Sequence, residues 1–380
     1  MESLGRVIAE DVSAPWEMPL CNNSAMDGYA VHAADCQPGT VLKVTGYVPA
    51  GALPTHAVEP GCAIKIMTGA PTPPGCDSVV PVEETEESGS GVRIQAPVKV
   101  GQHVRIAGED VKCGEVIMPR GTVVRPPEIS MLASFGKATV PVYNRPRVAI
   151  VSTGDELVEV GEPLVVGKVI NSNVWSIAAA VRQAGAIPVM IGVARDNADS
   201  HREKFTEALK ADAVITSAGV SAGDRDLVRD ILAESGVKQI FWHVDVKPGG
   251  PTAFGMKEAK PVFSLPGNPV STMLTFEEFV LPALLRMQGH QRVFKRFVPA
   301  LLMSDFRKKV GKINFVRVRL EYRDGKLLAY SSGDQNTGVL KTMLRADGFA
   351  MLPADRSSFS VGEEVEVHVL SDQTNMIDPE

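Results

Sequence analysis

The sequence predicts a multidomain α/β protein, with a central doubly wound, mostly parallel sheet flanked by β-rich domains and a C-terminal β-domain. Three observations predict it. Residues 12 to about 140 hold short apolar runs between Gly, Pro and Thr turn signals. From Pro146 onward, apolar runs of strand length alternate with stretches of helical period. After about Arg292, two-residue alternation returns.

In the first stretch, Val41-Leu42-Lys43-Val44, Ala63-Ile64-Lys65-Ile66 and Val92-Arg93-Ile94 read as strands. The acidic run Glu83-Glu84-Thr85-Glu86-Glu87-Ser88-Gly89-Ser90-Gly91 reads as a solvated hairpin tip. In the middle stretch, Val148-Ala149-Ile150-Val151 is a buried strand, followed by a helix over 174–184 and a strand over 187–193. A helix over 200–209, the strand Ala213-Val214-Ile215-Thr216 and a helix over 226–234 come next. A strand over 239–246, the strand Pro261-Val262-Phe263-Ser264-Leu265 and a helix over 271–287 complete the series. Strands alternating with helices of this length imply parallel βαβ units. In the last stretch, Val316-Arg317-Val318-Arg319-Leu320 and Glu364-Val365-Glu366-Val367-His368-Val369 alternate, and Arg323-Asp324-Gly325-Lys326 is a turn signal. The expected division is an N-terminal and linker domain (1–15 and 120–145), a β-rich domain (16–119), an α/β domain (146–291) and a C-terminal β-domain (292–372).

Composition narrows the function. The net charge is −6 and only 6% of the 380 residues are aromatic, which argues against a nucleic-acid partner. The five cysteines, Cys21, Cys36, Cys62, Cys76 and Cys113, are widely spaced with no C-x-x-C, so neither a disulfide framework nor a structural zinc site is expected. No signal peptide and no run of about 18 apolar residues is present, so no membrane span is expected and the cytoplasm is the expected location.

In open α/β sheets, ligands bind beyond the carboxyl ends of the strands. The segments expected there are Ser152-Thr153-Gly154-Asp155-Glu156, Ala194-Arg195-Asp196-Asn197, Ser217-Ala218-Gly219-Val220-Ser221-Ala222-Gly223-Asp224-Arg225-Asp226, Lys247-Pro248-Gly249-Gly250-Pro251 and Pro266-Gly267-Asn268-Pro269-Val270-Ser271. Glycine lets a backbone approach a ligand, and N–H groups at helix starts bind anions. The hydroxyls of Ser152, Thr153, Ser217, Ser221 and Ser271 add donors, and Lys247 adds a cation. Asp155, Glu156, Asp196, Asp224 and Asp226 would crowd the same rim. Carboxylates beside a phosphate site repel the ligand unless a cation lies between them, so a Mg²⁺-dependent phosphate-transfer or phosphate-ester site is expected. Neither a P-loop nor a strand-following G-x-G-x-x-G is present.

These residues and others resemble the MoeA-type molybdopterin molybdenumtransferases, which include the gephyrin E domain. The resemblance runs from about Gly5 to about Leu370. It is carried by Asn23-Ser24-Ala25-Met26-Asp27-Gly28-Tyr29-Ala30-Val31, Ile66-Met67-Thr68-Gly69-Ala70-Pro71, Gly108-Glu109-Asp110 and Ser152-Thr153-Gly154-Asp155-Glu156-Leu157. Asn171-Ser172-Asn173, Gly219-Val220-Ser221, Lys247-Pro248-Gly249, Leu265-Pro266-Gly267-Asn268-Pro269-Val270-Ser271, Phe315-Val316-Arg317-Val318 and Ala346-Asp347-Gly348-Phe349-Ala350 continue it. The resemblance implies a homodimer of four-part subunits, with a central domain similar to that of the molybdopterin adenylyltransferases. The active site would be shared between subunits, joining Asp27, Thr68 and Asp110 to the strand-end loops. Adenylated molybdopterin and molybdate would be the substrates, AMP a product and Mg²⁺ the cofactor. Asp196 and Asp226 would hold the metal, while Lys247, Ser271 and Arg317 would grip molybdate. Glu156 would position a metal or water. The glycine loops, with Ser152, Thr153, Gly154, Asp155, Gly219, Val220, Ser221, Pro266, Gly267, Asn268 and Pro269, would bind the pterin-borne anion. A molybdopterin adenylyltransferase and molybdoenzymes would be its protein partners.

The chain departs from the family pattern at several places. The chain starts where the family is already some twenty residues in, past its usual N-terminal helix. Gly250 stands where a second lysine is frequent, Lys312 where arginine is, and Asp334-Gln335 in a stretch where Gly-Ser is commoner. The loop Ala218-Gly219-Val220-Ser221-Ala222 has alanines where glycine and valine are usual, and an alanine forced to positive φ would be strained. Two other readings compete: an adenylyltransferase, which lacks the domains that carry Asp27 and Thr68, and a non-enzymatic scaffold, which would not need the acidic set.

Overall fold

The computed structural model describes residues 1–219 and 227–370, which form two compact units. The first comprises Met1–Leu4 and Ile8–Pro141, the second Gly5–Val7 and the chain from Val142.

The first unit is built on a six-stranded sheet in the order Ser78–Pro81, Gly28–Val31, Cys62–Ile66, Val41–Val48, Gly91–Ile94, Thr85–Ser88. Its alternating side chains feed two apolar clusters, one around Tyr29, Leu42, Val80 and Ile94, the other around Ala30, Ile64, Ile66 and Val79. The acidic run is a hairpin, but its tip is narrower than expected: Ser88 pairs with Gly91, leaving only Gly89 and Ser90 at the turn. Glu86 and Glu87 instead lie on the edge strand. Charges on an edge discourage further strand addition. The helix Pro126–Ser134 begins with proline at its first turn, and Glu128 accepts from the backbone N–H of Arg125.

The second unit contains the expected doubly wound sheet, in the order Ile187–Ala194, Arg147–Thr153, Ala213–Ser217, Lys260–Leu265, Ala253–Lys257, Lys238–Phe241. The first four run parallel, Ala253–Lys257 runs antiparallel to them, and Lys238–Phe241 pairs antiparallel with Ala253–Lys257. Helices Ser172–Gln183 and Pro269–Thr275 cover one face, while Ala198–Ala208 and Leu227–Glu234 cover the other. Burial from both sides explains the unbroken apolar runs. Ile150, Ile215 and Leu265 are wholly buried, each stabilising the fold by about 1.5–3 kcal/mol relative to exposure.

Two expectations are corrected here. The strand expected over 239–246 ends at Phe241, and Val246–Lys247 belongs to a different sheet. The last helix starts at Pro269 rather than Ser271 and passes through a π-turn, Phe276–Val280, before continuing as Leu281–Met287. Pro282 explains the wide turn, since it has no N–H to give the helix and its ring crowds the carbonyl four residues back.

In the C-terminal region, Ile313–Arg323, Lys326–Ser331, Phe297–Leu302, Glu364–Val369 and Gly348–Leu352 pair in that order, and the last pairs back to the first. The sheet is thereby closed, with Val318, Leu302, Ala350 and Val367 packed inside and fewer open edges to protect. Val246–Lys247 adds in parallel to Ile313–Asn314.

Candidate functional site

The carboxyl ends of the parallel strands border a cleft of about 490 Å³ in the second unit. Glu156, Gly219, Pro266, Gly267, Asn268 and Pro269 line it, as the sequence led us to expect. Helices Ser172–Gln183 and Pro269–Thr275 both begin at its wall, and their unpaired first-turn N–H groups carry partial positive charge.

Of the hydroxyl residues expected to meet the ligand, Ser217 lines this cleft and Ser152, Thr153 and Ser271 do not. Ser152, Thr153, Ser217 and Ser271 are all under 5% exposed. Ser152 Oγ donates to Asn171 Oδ1 at 2.9 Å, and Thr153 Oγ1 donates to the Ser217 carbonyl at 3.5 Å. Asn173 Nδ2 donates to the Gly267 carbonyl at 2.8 Å and to Ser217 Oγ at 3.0 Å. Thr272 Oγ1 donates to the Pro266 carbonyl at 2.5 Å. Asn171, Asn173 and Thr272 are thus the residues to which sequence reasoning gave no role. They tie together the loops after three strands. Their signal was a pair of asparagines at the start of a helix, where that residue type commonly satisfies loose backbone groups.

The rim is acidic. Asp155 Oδ1 accepts the Asp196 N–H and Asp196 Oδ2 accepts the Asp155 N–H, each at 3.2 Å. This exchange holds the two exposed carboxylates side by side. Arg195 and Lys168 donate to main-chain carbonyls here, and no described cation pairs with either carboxylate. Among the described residues no group of three or more His, Cys, Asp or Glu could hold a metal. A pair of exposed carboxylates with no cation paired to them among the described residues nevertheless fits Mg²⁺, which takes one or two carboxylates and completes its shell with phosphate oxygens and water. Glu156 folds its carboxylate over Gly154: a Cβ at Gly154 would lie 2.3 Å from Glu156 Oε2.

Ala218 adopts φ +73°, so the strain expected of alanine in this loop is present at this position. Val220, Ser221 and Asp226 lie outside the described residues.

Lys247 and Arg317 sit on strands of the closed C-terminal sheet rather than directly after a strand of the doubly wound sheet. Lys247 is exposed on the strand that joins the closed sheet. Arg317 is 2% exposed, and its guanidinium donates to Gln335 Oε1 and to the carbonyls of Asp334, Asn336 and Val339. Burial lowers its pKa, with Asp334 opposing. The segment it holds reaches the cleft, for Asn268 Nδ2 donates to Thr337 Oγ1 at 3.3 Å. Arg317 therefore holds a rim loop, and the expectation of a free anion-gripping guanidinium is revised.

Asp27, Thr68 and Asp110 belong to the first unit. Asp27 Oδ1 accepts from both the N–H and the hydroxyl of Thr68, each at 2.7 Å. These two bonds hold the Asp27 carboxyl below the usual carboxylate range. Asp110 is exposed.

A glycine-lined cleft at the carboxyl ends of parallel strands, in a chain that also carries a β-rich unit and a closed C-terminal sheet, marks the central domain as a doubly wound domain with its cleft at the strand ends, and its likeness to known proteins says of which kind. Residues 1–136 match the MoeA N-terminal region (domain I and II), 149–286 a probable molybdopterin binding domain, and 299–370 the MoeA C-terminal region (domain IV). The chain is 35% identical to Molybdopterin molybdenumtransferase 2 of Mycobacterium tuberculosis, covering 96% of this chain and 93% of the relative. It is also 35% identical to the Molybdopterin molybdenumtransferase of Haemophilus influenzae, covering 96% and 91%. The crystal structure of a molybdopterin biosynthesis MoeA protein from Pyrococcus horikoshii superposes with TM-score 0.85 at 31% identity, covering 97% and 93%. The chain belongs to the MoeA family.

Proposed function

We propose that this protein is a molybdopterin molybdenumtransferase, which inserts molybdate into adenylated molybdopterin with release of AMP and requires Mg²⁺. The observation that carries this reading is the cleft at whose wall two helices begin and which Glu156 lines, with the exposed carboxylates of Asp155 and Asp196 on the adjoining loops. The relatives' names support the reaction.

The helix starts at Ser172 and Pro269 bind the pyrophosphate through backbone N–H groups. Asp155 and Asp196, with Asp226, would hold Mg²⁺. Once bound, Mg²⁺ neutralises charge on the phosphoanhydride oxygens. Glu156, held over Gly154, orients the attacking oxygen. Lys247 draws molybdate, with Ser271, buried in the first turn of the helix at the cleft wall, as a further donor. Asp27, kept ionised by Thr68, and Asp110 close the site from a partner subunit in a four-part, cytoplasmic homodimer. An adenylyltransferase supplies the substrate and molybdoenzymes take the product.

The test is AMP release from adenylated molybdopterin with Mg²⁺ and titrated molybdate or tungstate, with Asp226→Ala as control. Release that depends on both ions and is lost in the variant supports the reading. Tight binding without release sinks the catalytic claim and leaves a carrier or scaffold.

A further inference from the structure

The helix that begins at Pro269 on the cleft wall is tied to the C-terminal sheet at two places. At the cleft, Asn268 Nδ2 donates to Thr337 Oγ1 at 3.3 Å. Farther along, His368 Nδ1 lies 2.7 Å from Glu278 Oε1. Beside that pair, Lys295 Nζ lies 2.6 Å from Glu277 Oε2 and donates to the Val369 carbonyl at 3.1 Å. Both acids fall in the π-turn Phe276–Val280, and the carbonyl that Pro282 crowds is that of Glu278. Leu274, three and four residues before the two acids, shares their face of the helix. It packs with Phe315 and Phe349 of the sheet, between the two ties. From Asn268 to Glu278 the helix covers on the order of 15 Å.

The sheet completes a path from one tie to the other. His368 pairs opposite Phe349, and Phe349 opposite Arg317, on three neighbouring strands. Residues paired across an antiparallel ladder point to the same face, so the three side chains form one row. The rings of Phe297 and Phe315 flank the imidazole, with centroids at 4.3 and 5.4 Å. Arg317, at the other end of the row, holds the 334–339 segment that carries Thr337. Helix, imidazole, row and loop thus close a ring of contacts.

The Glu278–His368 pair is poorly suited to stability alone. A carboxylate only accepts, so His368 Nδ1 carries the proton, and Nε2 is left buried with no partner among the described residues. An apolar side chain in its place would leave nothing unsatisfied. What the pair supplies is direction: it fixes where the row sits along the helix.

We propose that Glu278 and His368 are a positioning pair, which by fixing the row against the helix sets the Arg317-held segment beside the cleft. The effect on turnover rests on the transferase reading above; the coupling between the pair and the loop does not.

Hydrogen exchange of the full chain tests it, read together with AMP release from adenylated molybdopterin and with thermal unfolding. In Glu278→Ala and in His368→Leu, exchange across 333–339 is expected to quicken roughly tenfold, as for the loss of one hydrogen bond to a charged group. The strands Ile313–Arg323 and Lys326–Ser331 are expected to keep the wild-type rate. AMP release is expected to slow roughly ten- to hundredfold, as for a small misplacement far from the chemistry. Glu278→Gln, which still accepts from Nδ1, is expected to restore both. Adding Glu278→Ala to Arg317→Met is expected to slow AMP release no further, because both act through one segment. Wild-type exchange across 333–339 in both single variants overturns the pair. Exchange that quickens equally in the two strands, or a double variant whose losses multiply, also overturns it, for these mark a general prop of the fold. Loop exchange that depends on the pair, in a protein that never releases AMP, supports the pair and sinks the transferase reading.

Discussion

Replacing Arg317 by methionine separates a loop anchor from an anion ligand. The guanidinium makes four hydrogen bonds to the 334–339 segment, two of them to the carbonyls of Asp334 and Asn336 at 3.0 and 3.2 Å. Those two carbonyls belong to exposed residues and can rehydrate, so each lost bond costs about 1 kcal/mol rather than the full value of a buried charged bond. The bonds to Gln335 and Val339 are long, at 3.3 and 3.4 Å, and add less. The total is roughly 2–4 kcal/mol, with methionine filling most of the apolar volume. Hydrogen exchange across 333–339 should accelerate in Arg317→Met, and turnover should fall because Thr337 no longer meets Asn268. Direct molybdate affinity should change little. Arg317→Lys should behave like methionine, since one ammonium cannot reproduce the planar fork. A variant that loses molybdate affinity while the segment exchanges at the wild-type rate would refute the anchor argument and return Arg317 to the oxyanion.

Two further variants test the site and its support. Gly154→Ala puts a methyl group 2.3 Å from a Glu156 carboxylate oxygen at φ +133°; because Glu156 is exposed and can swing away, AMP release should drop at least about tenfold while stability falls by only about 1–2 kcal/mol. Normal turnover in that variant would remove Glu156 from the chemistry. Lys295→Met strips the counter-ion from Glu277, whose carboxyl is 13% exposed and whose pKa burial raises above its ordinary 4.5. A raised acid pKa means the protonated form is favoured in the fold, so the Glu277 contribution is intact below pH 4.5 and is lost as pH rises through the folded value. The variant should therefore be destabilised by about 3–5 kcal/mol at pH 8 and by much less at pH 4, as read by denaturant titration. Equal losses at both pH values would show that packing, not charge, is what Lys295 supplies.

The parts of the fold that the sequence made legible are those where one physical cause dominates. The parallel strands are buried on both faces, so Val148-Ala149-Ile150-Val151 and Ala213-Val214-Ile215-Thr216 stand out as apolar runs. Between Phe241 and Lys247 two causes compete. Ile240, Trp242, Val244 and Val246 keep a two-residue period across a bend, and period alone cannot say that the chain has left one sheet for another. The strand Ala253–Lys257 was hidden by its own Gly255, a residue that argues against a strand when read alone. In the sheet that glycine is required, because a Cβ there would lie 2.9 Å from the Lys238 carbonyl of the neighbouring strand.

The same distinction governs the site. Backbone N–H groups and glycines at strand ends are legible because their position follows from topology. A hydroxyl's role depends on depth, and depth is a property of packing that sequence spacing does not carry. Ser152, Thr153, Ser217 and Ser271 were expected to touch the ligand; Ser217 lines the cleft with its hydroxyl held by Asn173, while Ser152, Thr153 and Ser271 are buried and are not among the lining residues. Such a floor costs little to maintain while each donor is matched, and it leaves the backbone N–H groups above it fixed before any ligand arrives. The charged residues proposed to act on the ligand, Asp155, Glu156, Asp196 and Lys247, are all exposed and outside this matched layer. Substitutions in the floor should therefore act on affinity and stability together, whereas substitutions among the rim charges should act on turnover or oxyanion affinity with the fold unaltered.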